Sequence, residues 1–269
     1  MLTDPDRAAE ALGAVALEAA RYLEALSDRG AGRRLKEDGT PSTAADLAAE
    51  RIVLGRLAEI FPAIPVVAEE SAAGRPAPQG LYFLVDPLDG TRDYLTGEGE
   101  YSVNVALIEG IRPIAAALAV PVLGRVWAAG SRCRVAPIPI AGDCSAWTLA
   151  ATRKVPADGP LALVSRRHGD AATEACLAQL AVVGRRTASS AAKFGLIASG
   201  EADIYVRCGP TMEWDTAAGD HIVTAAGGRV VGPDAQPLTY GHAGRGFLNG
   251  AFAAFGDGSL AACCRLPAA

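Results

Sequence analysis

Four acidic residues, Glu69, Asp86, Asp89 and Asp215, stand where the chain passes from one hydropathy pattern to another. Glu69 closes a short apolar segment. Asp86 and Asp89 bracket a Pro-Leu turn after a longer one, and Asp215 opens a stretch with helical spacing. Strand ends and helix starts are where α/β proteins assemble ligand sites. Carboxylates gathered there repel one another, which raises some of their pKa values unless a cation neutralises them. An all-oxygen set of carboxylates, carbonyls and waters suits Mg²⁺, which keeps waters and binds substrate phosphate. Such a set supports phosphoryl transfer to water. Each residue also has a purely structural use: Asp215 as a helix N-cap, Thr43-x-x-Asp46 as a capping box, Asp86-Pro87 and Asp89-Gly90 as turns, Glu69-Glu70 as solvated charge.

Two kinds of element must position these groups. Residues 4–29 place Leu12, Val15, Ala19, Tyr22 and Leu26 on one helical face. A second helix starts at Ser42 or Thr43, turns Leu47, Leu54, Leu57 and Phe61 inward and stops at Pro62. A short strand is expected over 64–67. Leu81-Tyr82-Phe83-Leu84-Val85 is a continuous apolar run, the mark of a strand buried on both faces. The alternation over 101–108 and the apolar runs at 114–120 and 124–129 follow without helices between them, which predicts an antiparallel sheet. The small-residue, Pro- and Gly-rich stretch around 130–160 is the best place for a lobe boundary. Beyond it the chain alternates: strand 161–165, helix 170–181, helix 191–199, strand 204–207, helix 215–227 ended by Gly227-Gly228, strand 229–231. The expected organisation is one catalytic unit, 1–269. Within it, an α+β lobe over 1–140 carries most candidate metal ligands, and an α/β lobe over 141–269 carries the specificity residues and one ligand.

The 269 residues are 50% hydrophobic and 20% charged, with 25 Lys+Arg against 30 Asp+Glu. That composition excludes disorder, and the chain has no basic stripe of the kind a nucleic-acid backbone needs. No run approaches the ~20 apolar residues of a bilayer span, and residues 1–6 lack a secretory pattern. Six cysteines are scattered without CxxC spacing; they read as reduced, buried or incidental thiols of a cytoplasmic protein.

Asp86-Pro87-Leu88-Asp89-Gly90-Thr91 and Trp214-Asp215-Thr216-Ala217-Ala218-Gly219 resemble the paired signatures of the inositol-monophosphatase-like phosphatases, a Mg²⁺-dependent and lithium-sensitive superfamily. The resemblance extends through Ser42-Thr43-Ala44-Ala45-Asp46, Ala68-Glu69-Glu70-Ser71 and Gly227-Gly228, in family order over nearly the whole chain. It implies a layered α-β-α-β-α sandwich of two lobes. It also implies that Glu69, Asp86, Asp89, Asp215 and the Leu88 carbonyl hold two or three Mg²⁺ ions, with Glu69 among the candidate catalytic groups. Gly90 and Thr91 would lie against the substrate phosphate, and Asp46, paired with the Thr91 hydroxyl, would help deprotonate the water that attacks in line. A hydroxyl can accept from the water while donating to the carboxylate, so the pairing is chemically apt.

Within that superfamily the stretches 85–94, 99–108, Ser165-Arg166-Arg167-His168, Lys193-Phe194, Gly209-Pro210-Thr211 and Phe247-Leu248-Asn249 resemble the bacterial 3′(2′),5′-bisphosphate nucleotidases. The implied reaction is hydrolysis of the 3′-phosphate of 3′-phosphoadenosine 5′-phosphate, a by-product of sulfate activation. His168, Ser190, Lys193 and Arg207, together with Asp215, would face the nucleotide, and Li⁺ would inhibit. Arg and Lys suit a second phosphate because charge-assisted bonds hold its oxygens. The chain departs from these nucleotidases at Ser189-Ser190-Ala191, where they carry Gly-Ser-Ser; serine in place of that glycine would tighten the backbone approach to ribose or phosphate. An inositol-1-phosphatase or other polyol phosphatase, and a non-catalytic nucleotide sensor, are the competing expectations. A small-molecule partner, no nucleic acid, no stable membrane insertion and a monomer or homodimer complete the reading.

Overall fold

The computed structural model describes residues 4–27, 33–35, 41–72, 74, 76, 78–138, 146–167 and 169–268. Helix α1 (Pro5–Ser27) buries Leu12, Val15, Ala16, Ala19 and Leu23. Tyr22, expected on that face, is 40% exposed. Positions i+3 and i+4 both fit the stripe, so the purely apolar Leu23 turns in while tyrosine keeps its hydroxyl in water. Strands β1 (Arg33–Leu35) and β2 (Pro41–Thr43) pair antiparallel and lead into α2 (Ala44–Ile60). Val53, Leu57 and the following Phe61 point inward, but Leu47 is 41% exposed; Ala45, Ala48 and Ala49 occupy its expected face, and their small side chains let α2 lie close to α1. The Thr43 side chain lies outside the described residues, so the expected capping box there has no structural counterpart to report.

A seven-stranded sheet follows, in spatial order β3 (Val66–Ala68), β4 (Leu81–Asp89), β5 (Ser102–Glu109), β6 (Arg112–Val120), β7 (Arg125–Ala129), β8 (Cys133–Pro137) and β9 (Thr148–Leu149). The pairs from β4 onward are antiparallel, as the sequence predicts, and β3 joins β4 in parallel. β3 begins later than expected because Pro65 has no N–H for a ladder, although its carbonyl accepts from Phe83 N at 2.9 Å. β8 and β9 fall inside the small-residue stretch around 130–160 and still extend this sheet. Between β4 and β5 lies α3 (Thr91–Thr96).

In the second half β10 (Leu161–Ser165), α4 (Ala171–Ala178), β11 (Gly184–Ala188), α5 (Ala192–Ala198), β12 (Ile204–Arg207), β13 (Thr211–Met212), α6 (Glu213–Ala225), β14 (Arg229–Val231), β15 (Leu248–Asn249) and β16 (Phe252–Phe255) succeed one another. A five-stranded sheet runs β11-β10-β12-β16-β14, parallel among the first three and antiparallel through β16. β13 pairs with β15 separately.

Period-two alternation explains the layers. Phe83 and Val85 of β4 and Ala115, Ala117 and Ala119 of β6 pack against α1 and α2. Tyr82 and Leu84, with Ala116, Leu118 and Val120, face the opposite way into a core shared with Phe194, Leu196, Trp214, Ala217 and Ile222 of α5 and α6. Leu163, Tyr205, Phe252 and Ala254 of the second sheet close that same core from its far side. The outer face of the second sheet, through Ala162, Ile204, Val206 and Phe255, meets Cys176 and Leu177 of α4. The order helix, sheet, helix, sheet, helix is the layered sandwich that the sequence resemblance implies. At its centre α5 and α6 touch closely: a side chain at Gly219 would meet the Phe194 ring at 2.2 Å.

Candidate active site

The site begins with an irregularity in β4. Asp86 pairs with Asn104 and Asp89 with Ser102, so two residues on β4 oppose one on β5 between those pairs. In a regular strand, residues three apart point to opposite faces; the bulge cancels that and turns both carboxylates toward the central helices. Pro87 sits in the bulge, where its missing N–H costs no ladder bond. Gly90 then turns the chain into α3 with φ +90°, and a side chain there would meet Glu100 O at 3.1 Å and Ser190 Cβ at 3.3 Å. Only glycine has both the conformation and the space.

The sequence predicts Asp215 at the opening of its helix. It stands instead at the third position of α6, and its Oδ2 accepts from the Met212 N–H at 2.9 Å, satisfying a donor at the helix start. Asp86 Oδ1 accepts from Leu88 N at 3.0 Å. Asp89 Oδ2 accepts from Ser190 Oγ at 2.7 Å, Ala191 N at 2.6 Å and Ser102 Oγ at 3.4 Å. Thr91 Oγ1 lies 2.9 Å from Asp46 Oδ1 and 3.2 Å from Leu88 O, and Asp46 is buried.

Glu69, Asp86, Leu88, Asp89, Gly90, Thr91, Ser190, Lys193, Arg207 and Asp215 line one cavity of about 650 Å³. Asp46 stands behind it through Thr91. His168 lies outside the described residues. The other histidines do not line the cavity: burial pushes His221 down to about 4 while its Nε2 bonds Gly130 O, and His242 Nδ1 meets Glu213 Oε1 at 2.7 Å.

Burial, reinforced by Glu69, Asp89 and Asp215, pushes the Asp86 carboxyl well above its ordinary value, against the pull of the Leu88 N–H. Burial and then Asp89 raise Asp215 to about 8. These carboxylates stand close enough to repel, but no three acidic, His or Cys side chains among the described residues converge around one point as they would on a bound ion. The donor set fits a hard divalent cation: anionic oxygens with, among the described residues, no cationic side chain bonded to Asp86 or Asp215, their orientations fixed by backbone N–H groups.

Sequence reasoning missed several residues at or beside the cavity. Ser102 does not line it but is fully buried behind Asp89 and, with Asn104, interrupts a largely apolar strand; a buried polar residue in such a run is the signal that could have found it. Arg92 and Arg166 are exposed and line the cavity mouth. Arg167, which also lines it, reaches back to Asp93 Oδ1 at 3.2 Å and Glu98 Oε2 at 3.1 Å, tying the end of β10 to α3. Arg207 bonds Pro210 O at 3.0 Å, while its buried Nε has no hydrogen-bond partner among the described residues. The residue that adopts the left-handed conformation in the departing Ser189-Ser190-Ala191 segment is Ser190, at φ +58°, and not Ser189 where the nucleotidase glycine would fall.

The family model for inositol monophosphatases matches residues 4–255, and the chain belongs to the inositol monophosphatase family. Among curated relatives, a protein of Shigella flexneri named 3′(2′),5′-bisphosphate nucleotidase CysQ is 38% identical over 207 residues, 76% of this chain and 81% of that one. The CysQ of Escherichia coli K12 is 37% identical over 212 residues, with the same coverage. Among solved structures, CysQ from Bacteroides thetaiotaomicron superposes with a TM-score of 0.78 at 27% identity, covering 93% of this chain and 97% of that one. Inositol monophosphatase from Anabaena shares the fold, with a TM-score of 0.72 at 22% identity over 94% and 93% of the two chains.

Proposed function

We propose that this chain is a 3′(2′),5′-bisphosphate nucleotidase that hydrolyses the 3′-phosphate of 3′-phosphoadenosine 5′-phosphate to AMP and phosphate. The observation that carries the reading is the carboxylate cavity with the Asp46–Thr91 pair at its edge, in a chain 37–38% identical to proteins named for that activity. Enzymes of this family are generally Mg²⁺-dependent. Glu69, Asp86, Asp89, Asp215 and the Leu88 carbonyl are the residues that would hold two or three Mg²⁺ ions, with Li⁺ as inhibitor. When bound, Mg²⁺ supplies Lewis acidity, acidifying water and stabilising charge on the phosphoryl oxygens.

The remaining work falls to side chains. Thr91 Oγ1 donates to Asp46 and keeps its lone pairs for the attacking water, so a proton leaving that water has a path to a buried carboxylate. Gly90 leaves the backbone open for the phosphate to approach. The second phosphate falls to the cations lining the same cavity: Arg207, whose Nε has no partner among the described residues, Lys193, Arg92 and Arg166, with Ser190 beside them; His168 is carried over from the family resemblance alone as a nucleotide contact. An inositol phosphatase would have no use for so many cations beyond its metals. Five of the cysteines are free thiols, which supports a reducing compartment such as the cytoplasm, and no described helix is long and apolar enough to cross a membrane.

Phosphate release from 3′-phosphoadenosine 5′-phosphate and from inositol 1-phosphate, with Mg²⁺ and with or without Li⁺, tests the assignment. Preference for the nucleotide, abolished by chelation and lowered by Li⁺, is the expected result. Preference for the inositol ester would keep the metal site and overturn the nucleotide pocket. Tight binding without turnover would make the protein a sensor.

A further inference from the structure

Lys193 lines the cavity, yet its side chain is fully buried and its ammonium is already occupied. Nζ donates to Ser190 O at 2.7 Å and to Ala188 O at 3.3 Å, and it lies 4.8 Å from the centre of the Tyr205 ring. Two of its three N–H groups are spent on one turn, and the aromatic face covers a further side. That turn is unusual. Ser190 holds φ +58°, a conformation a serine adopts only where its surroundings enforce it. From that conformation Ser190 Oγ and the Ala191 N–H both reach Asp89 Oδ2, at 2.7 and 2.6 Å. The turn is fixed on its other side by Ser189 N donating to Glu100 Oε2 at 2.9 Å.

We infer that Lys193 is a positioning residue: it holds the Ser189–Ala191 turn in its left-handed form, and the turn in turn aims the Asp89 carboxylate into the cavity. The relay crosses the cleft, because Lys193, Ser190 and Ala191 belong to the second half of the chain and Asp89 to the first sheet. With Oδ2 held by the turn, the orientation of the other Asp89 oxygen is set by residues a hundred positions away. This deepens the nucleotidase reading and rests on its metal site, but it moves Lys193 from phosphate contact to geometry. The 5′-phosphate is left to the arginines that line the same cavity.

Two full-length variants test it. Lys193→Met keeps the length and packing of the stem and removes the donors. Ser190→Gly keeps the positive φ without strain and removes the hydroxyl together with its Cβ. Calorimetric titration with Mn²⁺ in the absence of nucleotide is expected to show affinity weakened five- to tenfold in both. Turnover of 3′-phosphoadenosine 5′-phosphate and of adenosine 3′-monophosphate, which has no 5′-phosphate, is expected to fall by the same factor in kcat. Lys193→Arg, which restores donors, is expected to recover part of the Mn²⁺ affinity. Wild-type Mn²⁺ affinity in both variants, or a Lys193→Met loss confined to KM for the bisphosphate, would overturn the inference in favour of direct phosphate contact. Thermal melting identifies a variant that fails to fold, and Ser190→Gly then decides alone. If the wild-type protein turns over neither nucleotide, the nucleotidase reading fails, while the Mn²⁺ titrations still decide the relay.

Discussion

Thr91 and Asp89 carry different loads at the residue scale. Thr91 Oγ1 stands 2.9 Å from Asp46 and touches the Leu88 carbonyl, so it joins the candidate base to the segment that carries the candidate metal ligands. Thr91→Ala is expected to lower kcat by about 10²- to 10⁴-fold, the usual worth of a positioned acid–base group, with Thr91→Ser restoring much of it because serine keeps the hydroxyl. Steady-state phosphate release measures both. Asp89→Asn removes one charge from the cavity and leaves the turn from Ser190 and Ala191 an oxygen to bond. That variant is expected to stay folded by circular dichroism and to lose roughly a hundredfold or more in turnover; wild-type turnover would show that Asp89 is not a ligand. The Thr91–Asp46 pairing came from the family resemblance, and Asp89 was legible as an acid at an element end from residue type and order. The Ser102 and Ser190 hydroxyls on Asp89 were not, since they come from segments thirteen and a hundred and one residues away.

A bulge, a glycine turn and two helix starts build the site at the scale of elements. The bulge at Pro87-Leu88 puts two aspartates on one side of β4, and Gly90 folds the chain at once into α3. Gly90→Ala places a Cβ at a φ of +90° and within 3.1 Å of the Glu100 carbonyl. The expected cost is about 1–3 kcal/mol of stability, read as a lower denaturant midpoint, together with loss of activity as the turn reopens. Unchanged stability would mean that the turn relaxes freely. Sequence patterning found β4, β5, β6, α5 and α6, because long runs with a clear period announce themselves. It missed β1, β2, β8, β9, β11, β13, β15 and β16 and the short helix α3. β9, β13 and β15 have two residues, in which no period can be read, and β11 (Gly184–Ala188) offers little apolar signal to mark it.

The whole molecule is a stack in which α6 is shared by both sheets, and its burial has a measurable consequence. Asp220 on α6 is fully buried and paired with Arg112 of β6 at 2.8 Å and with the Tyr240 hydroxyl at 3.0 Å. Arg112→Met leaves a buried carboxylate without its cation. It is expected to cost about 3 kcal/mol, at the low end of the range for a broken buried pair because the guanidinium is itself partly exposed; chemical denaturation measures it. The cavity carboxylates add a pH dependence. Asp215 is raised from 3.8 to about 8 and Asp86 is raised too, so the folded chain binds protons that the unfolded chain releases. Stability from this source is present below the unfolded value and lost as pH climbs through the folded one. Without divalent cation, the melting temperature should therefore fall between about pH 5 and pH 8, less steeply in Asp215→Asn. Added Mg²⁺ should raise it more at the upper end of that window than at the lower. A flat profile in wild type and variant alike would show that the carboxylates do not strain the fold.

The sequence by itself determined the fold class, an antiparallel sheet followed by an α/β half, because that is a property of residue type, order and local period; the layered sandwich and the candidate cation donors came with the family resemblance. Asp86, Asp89 and Asp215 are readable as acids at element ends from the order of residues alone. Only the tertiary structure decided which groups hold them. Leu23 rather than Tyr22 turns inward, Asp215 sits at the third position of its helix, and Lys193 is sealed against two carbonyls and a ring. The physical reason is the range of the interactions. Propensity and hydrophobic period act over a few residues, whereas burial, carboxylate repulsion and the Lys193–Ser190–Asp89 contacts exist only once segments a hundred residues apart have packed together.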